Sequence, residues 1–188
     1  MPSRIQIRAA TEKDIPVLRE LIDTSVRQLQ SGDYSPEQID AALRTVFGVD
    51  SRLIEDRTYL VAEAENEASE RVIAGCGGWS KRRTLYGGDS WQHREDDLLD
   101  PLHDAAKIRA FFIHPDYARQ GVATMILDAC EDAASAAGFS RYEMGATLTG
   151  VKFFRQRAYV EVEAMDIPLE NGITLPIVHM VKQAQFQP

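Results

Sequence analysis

The run Ile113-His114-Pro115-Asp116-Tyr117-Ala118-Arg119-Gln120-Gly121-Val122-Ala123 concentrates the residue types best suited to holding an anion. An apolar strand gives way to a short polar loop, and the loop opens directly into a helical pattern. The first N–H groups of a helix have no internal acceptor, and the helix dipole favours negative charge there. Gly121 lets an oxyanion approach the backbone, small Ala123 keeps the next turn open, and Arg119 can add a charge-assisted contact. Taken alone, the same pattern also describes an ordinary strand-to-helix turn.

The elements that must position this loop alternate strand and helix. Ile5-Gln6-Ile7-Arg8 alternates apolar and polar as a half-buried strand does. A helix follows, with Asp14 expected as its N-cap and Pro16 in its first turn; Leu18, Leu21, Ile22 and Val26 keep helical spacing. Ser35-Pro36 with Gln38 spells a capping box for a second helix. Residues 58–63 and 72–79 read as a hairpin, and Gly75, Gly77 and Gly78 in its second strand point to a bulge or a close backbone approach. A long segment, 81–106, precedes the strand 108–113, and connections of that length usually serve function or are disordered. The helix 122–137 stops at Gly138, the strand 139–147 follows, and a short helix spans 151–156. Two last strands, 159–169 and 173–182, meet at Asn171-Gly172, a strong turn signal.

The 188 residues suit one domain, and 44% hydrophobic with 27% charged residues excludes wholesale disorder. With 21 basic and 29 acidic residues the net charge is −8, which disfavours nucleic acid as a partner. No apolar run is long enough to cross a bilayer, MPSRIQIRAA lacks a secretory apolar core, and Cys76 and Cys130 cannot build a disulfide framework. A cytoplasmic protein without a membrane partner is the expectation.

The order of elements resembles the GNAT superfamily of acetyl-CoA-dependent N-acetyltransferases over nearly the whole chain. Residues 113–123 look like the family's pyrophosphate motif, and Gly150–Tyr159 resembles its closing motif, an aromatic pair followed by Gly-Phe. The resemblance implies an α/β fold whose mixed, mostly antiparallel sheet is flanked by helices, with pantetheine lying where the fourth strand splays from the fifth. It implies that backbone groups near Phe111, Phe112 and Ile113 hold pantetheine and polarise the thioester. Arg119, Gln120, Gly121, Val122, Ala123 and Thr124 would hold the pyrophosphate, with Phe154 also against the cofactor. A neutral primary amine would attack the thioester directly, without an acyl-enzyme or a metal. A homodimer through the last strands is a family-level expectation.

Three departures stand out. Ala118 occupies a motif position usually held by Gln or Arg, and Ala158-Tyr159 replaces Gly-Phe. The third is Phe153-Phe154, where many members carry a tyrosine that protonates the departing thiolate. Phenylalanine cannot donate a proton, so the alternative reading is a catalytically impaired CoA-binding sensor or structural module.

Around the reacting centre no general acid or base is assigned. Lys107 and Arg109 stand where some members carry a base. Such a cationic pair could clamp the carboxylate of an amino-acid-like acceptor, or reach solvent from the strand end. Trp79, Arg83, Tyr86 and Asp89 could form an acceptor pocket or merely anchor the long loop. His93, Glu95, Asp97, Asp100 and His103 are metal-ligand types at a spacing that fits no defined site. His114 reads as a turn residue and His179 as a strand side chain, while Glu143 could be a water-linked base or a strand-edge carboxylate.

Overall fold

A computed structural model describes residues 5–184. Seven strands form one sheet in the order β1-β2-β3-β4-β5-β7-β6. The strands are β1 (Gln6–Ala9), β2 (Tyr59–Glu65), β3 (Arg71–Ser80), β4 (Ala106–Ile113), β5 (Arg141–Thr147), β6 (Val160–Pro168) and β7 (Thr174–Gln183). The helices are α1 (Ile15–Leu29), α2 (Pro36–Thr45), α3 (Ser51–Glu55), α4 (Val122–Ala136) and α5 (Leu148–Gln156). All strand pairs are antiparallel except β4 with β5. No helix among the described residues is long and apolar enough to cross a membrane.

Local chemistry explains most boundaries. At α2 the Ser35 hydroxyl accepts from the Gln38 N–H at 3.2 Å and the Gln38 side chain accepts from the Ser35 N–H at 3.0 Å, the reciprocal box expected there. Asp14 stands at the expected N-cap position of α1, but its side chain makes no capping bond. Its carboxylate turns back to accept from the Thr11 N–H at 2.7 Å and is gripped by both Arg8 terminal nitrogens at 2.8 Å, fixing a 3₁₀ turn at 12–14 that feeds the helix. The Asn171-Gly172 turn is left-handed at both residues, with φ of 56° and 74°.

Two apolar clusters cover the two faces of the sheet. Leu18, Leu21, Ile22 and Val26 of α1 pack with Val61, Phe112 and Ile177 on one face. Ile126, Leu127 and Cys130 of α4 pack with Ile108, Met144 and Met180 on the other. The β3 glycines sit where β4 side chains crowd the strand. A Cβ on Gly77 would lie 2.6 Å from the Phe111 ring, and one on Gly75 would lie 2.8 Å from Ile113 Cδ1. Larger residues there would push β4 away from β3.

Candidate functional site

β4 ends at Ile113, and the chain turns at once. The His114 ring nitrogen accepts from the Asp116 N–H at 3.2 Å, and Pro115–Tyr117 forms a single 3₁₀ turn. Arg119 and Gly121 then both adopt left-handed backbone, with φ of 65° and 84°. Gln120 between them braces the loop by donating its amide to the Asp116 carbonyl at 2.7 Å. This brings the backbone straight into α4, whose first end bond runs from the Met125 N–H to the Gly121 carbonyl at 3.0 Å. The N–H groups of Val122, Ala123 and Thr124 therefore belong to the turn without an internal acceptor. A Cβ on Gly121 would meet nothing within 4 Å, so space for a ligand lies directly over the turn. The Val122 side chain, in contrast, is buried and packs against Gly75, which pins the start of α4 to the sheet. The six residues expected at an anion cradle are thus gathered in one turn, and Val122 offers only its backbone.

The second feature is an opening in the sheet. β4 and β5 pair only at Ala106–Tyr142 and Lys107–Glu143, and beyond those residues the strands separate. On its other edge β4 slips register against β3 between Phe112 and Arg109, because Ala110 is left-handed at φ 55°. The buried Tyr59 hydroxyl donates to the Ala110 carbonyl at 3.3 Å and so holds the bulge. A cavity runs through the opening. Phe111, Phe154, Met144 and Thr147 wall it on the strand and α5 side, and Phe47, Tyr86, Phe112 and Ile177 on the α1–α2 side. Phe154 stands edge-on to Phe111, with ring centres 5.9 Å apart, and is equally edge-on to Phe153 and Tyr159. Phe111, Phe153 and Phe154 carry no hydroxyl, and the Tyr159 hydroxyl donates to Glu131 at 2.8 Å. Ile113 lies outside the cavity lining, with its side chain over Gly75 at the loop end.

The residues expected around an acceptor scatter. Trp79 is buried on the α4 side, edge-on to Phe139 at 6.0 Å, and does not line the cavity. Its strand face decides this, since Gly75, Gly77 and Trp79 share the side that α4 covers. Arg83 is exposed, and its backbone N–H donates to the Asp97 carbonyl at 3.0 Å. Tyr86 does line the cavity, tilted against Trp91 at 5.4 Å. Asp89 binds the start of α3 through the Ser51 N–H and hydroxyl, both at 2.9 Å.

Neither cation of β4 faces the cavity as an open charge. The Arg109 guanidinium is 2% exposed and lies 2.7 Å from an Asp50 carboxylate oxygen; it also donates to the Thr84 and Gly87 carbonyls. Asp50 in turn meets Arg94 at 3.0 Å, and Arg94 reaches the Gly88 carbonyl at 3.2 Å. Sequence reasoning missed Asp50 and Arg94, and neither stands in a pattern that would have marked it. Burial lowers the pKa of Arg109, and Asp50 opposes that. Lys107 contacts Glu143, whose other oxygen lies 2.8 Å from His179 Nε2. Burial pulls the Lys107 ammonium down to about 8, while the nearby Asp104 charge acts in the opposite direction. Burial also lowers His179.

Both cysteines are buried free thiols, and burial pushes Cys76 up to about 12, far from a thiolate at neutral pH. His103 pairs with Asp100 at 2.7 Å on the surface. Among the described residues no group of three His, Cys, Asp or Glu is arranged to hold a metal.

Against known proteins, the family model for GNAT acetyltransferases matches residues 24–159. A GCN5-related N-acetyltransferase structure from Rhodopseudomonas palustris superposes with a TM-score of 0.68 at 24% identity, covering 97% of this chain and 98% of that one. The PaiA N-acetyltransferase from Thermoplasma acidophilum, solved with coenzyme A, gives 0.62 at 14% identity over 96% and 99%. YncA from Salmonella typhimurium, solved with acetyl-CoA, gives 0.60 at 17% identity over 99% and 97%. No curated protein matches the chain. A family match over most of the chain, on a sheet that opens beside a helix-start turn, makes this protein a member of the GNAT acetyltransferase family.

Proposed function

We propose that this protein transfers an acetyl group from acetyl-CoA to the nitrogen of a primary amine. The observation that supports it is the continuity of β4: the strand borders the open sheet along its length and ends in the anion turn. A ligand with a diphosphate at one end and a slender thioester arm suits that path. Backbone N–H groups from Gln120 to Thr124 hold the diphosphate, with Arg119 adding charge. The bulged backbone at Ala110 to Phe112 faces the arm, and the Phe111 and Phe154 rings wall it.

The reaction needs little from side chains. The amine lone pair forms a C–N bond to the thioester carbonyl carbon as the C–S bond breaks. The amine nitrogen gives up a proton and the thiolate leaves to be protonated. Phe154 supplies no proton, which leaves that part to water or to the Tyr86 phenol on the facing wall. The buried cysteines form no acyl-enzyme.

The deciding experiment is calorimetric titration of acetyl-CoA into the wild type and Gly121→Glu. The wild type should bind in the micromolar range. The added carboxylate should weaken binding at least 100-fold, whereas Gly121→Ala, which carries the same backbone strain at φ 84° without the charge, should keep most of the affinity. Equal binding by the wild type and Gly121→Glu would remove the turn from the site. Thiol release with any amine then separates a transferase from a CoA-binding module.

A further inference from the structure

The reading above leaves the acceptor open, and the α1–α2 side of the cavity narrows it. That wall is made of Val46, Phe47, Leu85, Tyr86, Ile167 and Ile177. Among the described lining residues there is no Asp or Glu to face a second ammonium group. Arg109 is the only lining residue with a cationic side chain, and it is committed to Asp50 and to the Thr84 and Gly87 carbonyls. Lys107, the neighbouring cation on the strand, is held by Glu143 and does not line the cavity. A charge carried into such a space exchanges water for the Tyr86 phenol, the Thr147 hydroxyl and backbone dipoles at best, and without a counter-charge that costs several kcal/mol.

We infer that the acceptor is a primary amine carried on an uncharged alkyl or aryl body, and that polyamines and amino acids are poor substrates. This inference rests on the transferase reading and adds the substrate class to it. The same desolvation favours the neutral amine over the ammonium. The substrate proton is therefore shed to solvent on entry, with no buried base taking it, which fits the lack of any carboxylate in the wall.

Matched pairs of amines test the idea through thiol release from acetyl-CoA by the intact protein. Hexylamine against hexanediamine isolates a second cation, and phenethylamine against phenylalanine isolates a carboxylate. The uncharged body should win each pair by at least tenfold in kcat/KM. Leu85→Asp should narrow or reverse the first pair and leave the second favouring phenethylamine. Equal or better rates with the charged members overturn the apolar-acceptor inference but keep the transferase. Binding of acetyl-CoA without transfer to any of the four amines overturns the transferase reading, and the inference falls with it.

Discussion

Replacing Asp50 with alanine probes the cluster that ties the 84–94 loop over the cavity. Asp50 and Arg109 are 0% and 2% exposed, and Arg94 is 16% exposed. The Asp50 carboxylate serves both cations and also accepts from the Arg52 N–H at 3.2 Å as the N-cap of α3. An exposed pair would contribute at most about 1 kcal/mol. Here the loss strands Arg109 without its counter-charge, and removing one partner of a buried pair costs about 3–5 kcal/mol. Loss of the cap adds about 1 kcal/mol. Arg94 can relieve part of this by turning to Asp96, 3.7 Å away. The net expectation is about 4 kcal/mol, or roughly 8–16 °C in Tm for a chain of this length. Asp50→Asn keeps the volume and the cap acceptor and isolates the charge. An Asp50→Leu, Arg109→Met double variant should be more stable than Asp50→Leu alone, because the buried guanidinium goes with its carboxylate and Arg94 can turn to Asp96. Thermal and urea unfolding followed by circular dichroism measure each variant against wild type. If Asp50→Asn falls within about 1 kcal/mol of wild type, the pair behaves like one on the surface and the reasoning fails.

Phe154→Tyr places a phenol on the Phe111–Phe154 side of the cavity, where this chain has only phenyl rings. If thiolate protonation limits turnover, kcat should rise at least tenfold, within the usual reach of about 10²–10⁴ for general acids. An unchanged kcat with acetyl-CoA binding intact would show that water or the Tyr86 phenol already suffices. Asp14→Asn tests the 3₁₀ turn at 12–14. The Arg8 hydrogen bonds hold the Asp14 carboxyl down at about 2, against 3.8 for an ordinary aspartate. A carboxyl depressed by folding contributes stability that is complete above its ordinary pKa and is lost as pH falls through the folded value. Because Arg8 is 33% exposed, the contribution is screened to about 1–2 kcal/mol. The variant should therefore be less stable by that amount at pH 7 and converge with wild type near pH 2. A constant gap down to pH 2 would mean the loss is packing rather than charge.

The parts of this molecule that could be read from sequence are those whose causes are local. The Ser35-Pro36-Gln38 start, the Asn171-Gly172 turn and the helix opening after Gly121 each depend on residues within a few positions. The β3 glycines were legible in kind, as a close approach, but the Phe111 ring that explains Gly77 lies on another strand. Asp14 takes the expected N-cap position, but Arg8 and Thr11 draw off its carboxylate, and that competition depends on how β1 enters the turn. The Ala110 bulge has no signal at all in Ile108–Ile113; an alanine at φ 55° is held by pairing with β3 and by Tyr59 beneath it.

Charge shows the same limit most sharply. Lys107 and Arg109 sit one step apart on the same face of β4, and a sequence shows two cations beside a reactive site. It does not show that both are buried, and a buried cation demands a buried carboxylate. Glu143 arrives on β5, and Asp50 arrives just before α3, brought in because the loop after β3 folds back across the sheet. Once those partners are in place, the cations serve the protein rather than a substrate. The cavity wall is left to Phe47, Leu85, Tyr86 and Ile177. The internal ion pairs and the largely apolar wall of the cavity therefore follow from one arrangement. Opening one of these pairs, as Asp50→Asn does, should let carboxylate-bearing amines compete where the wild type excludes them.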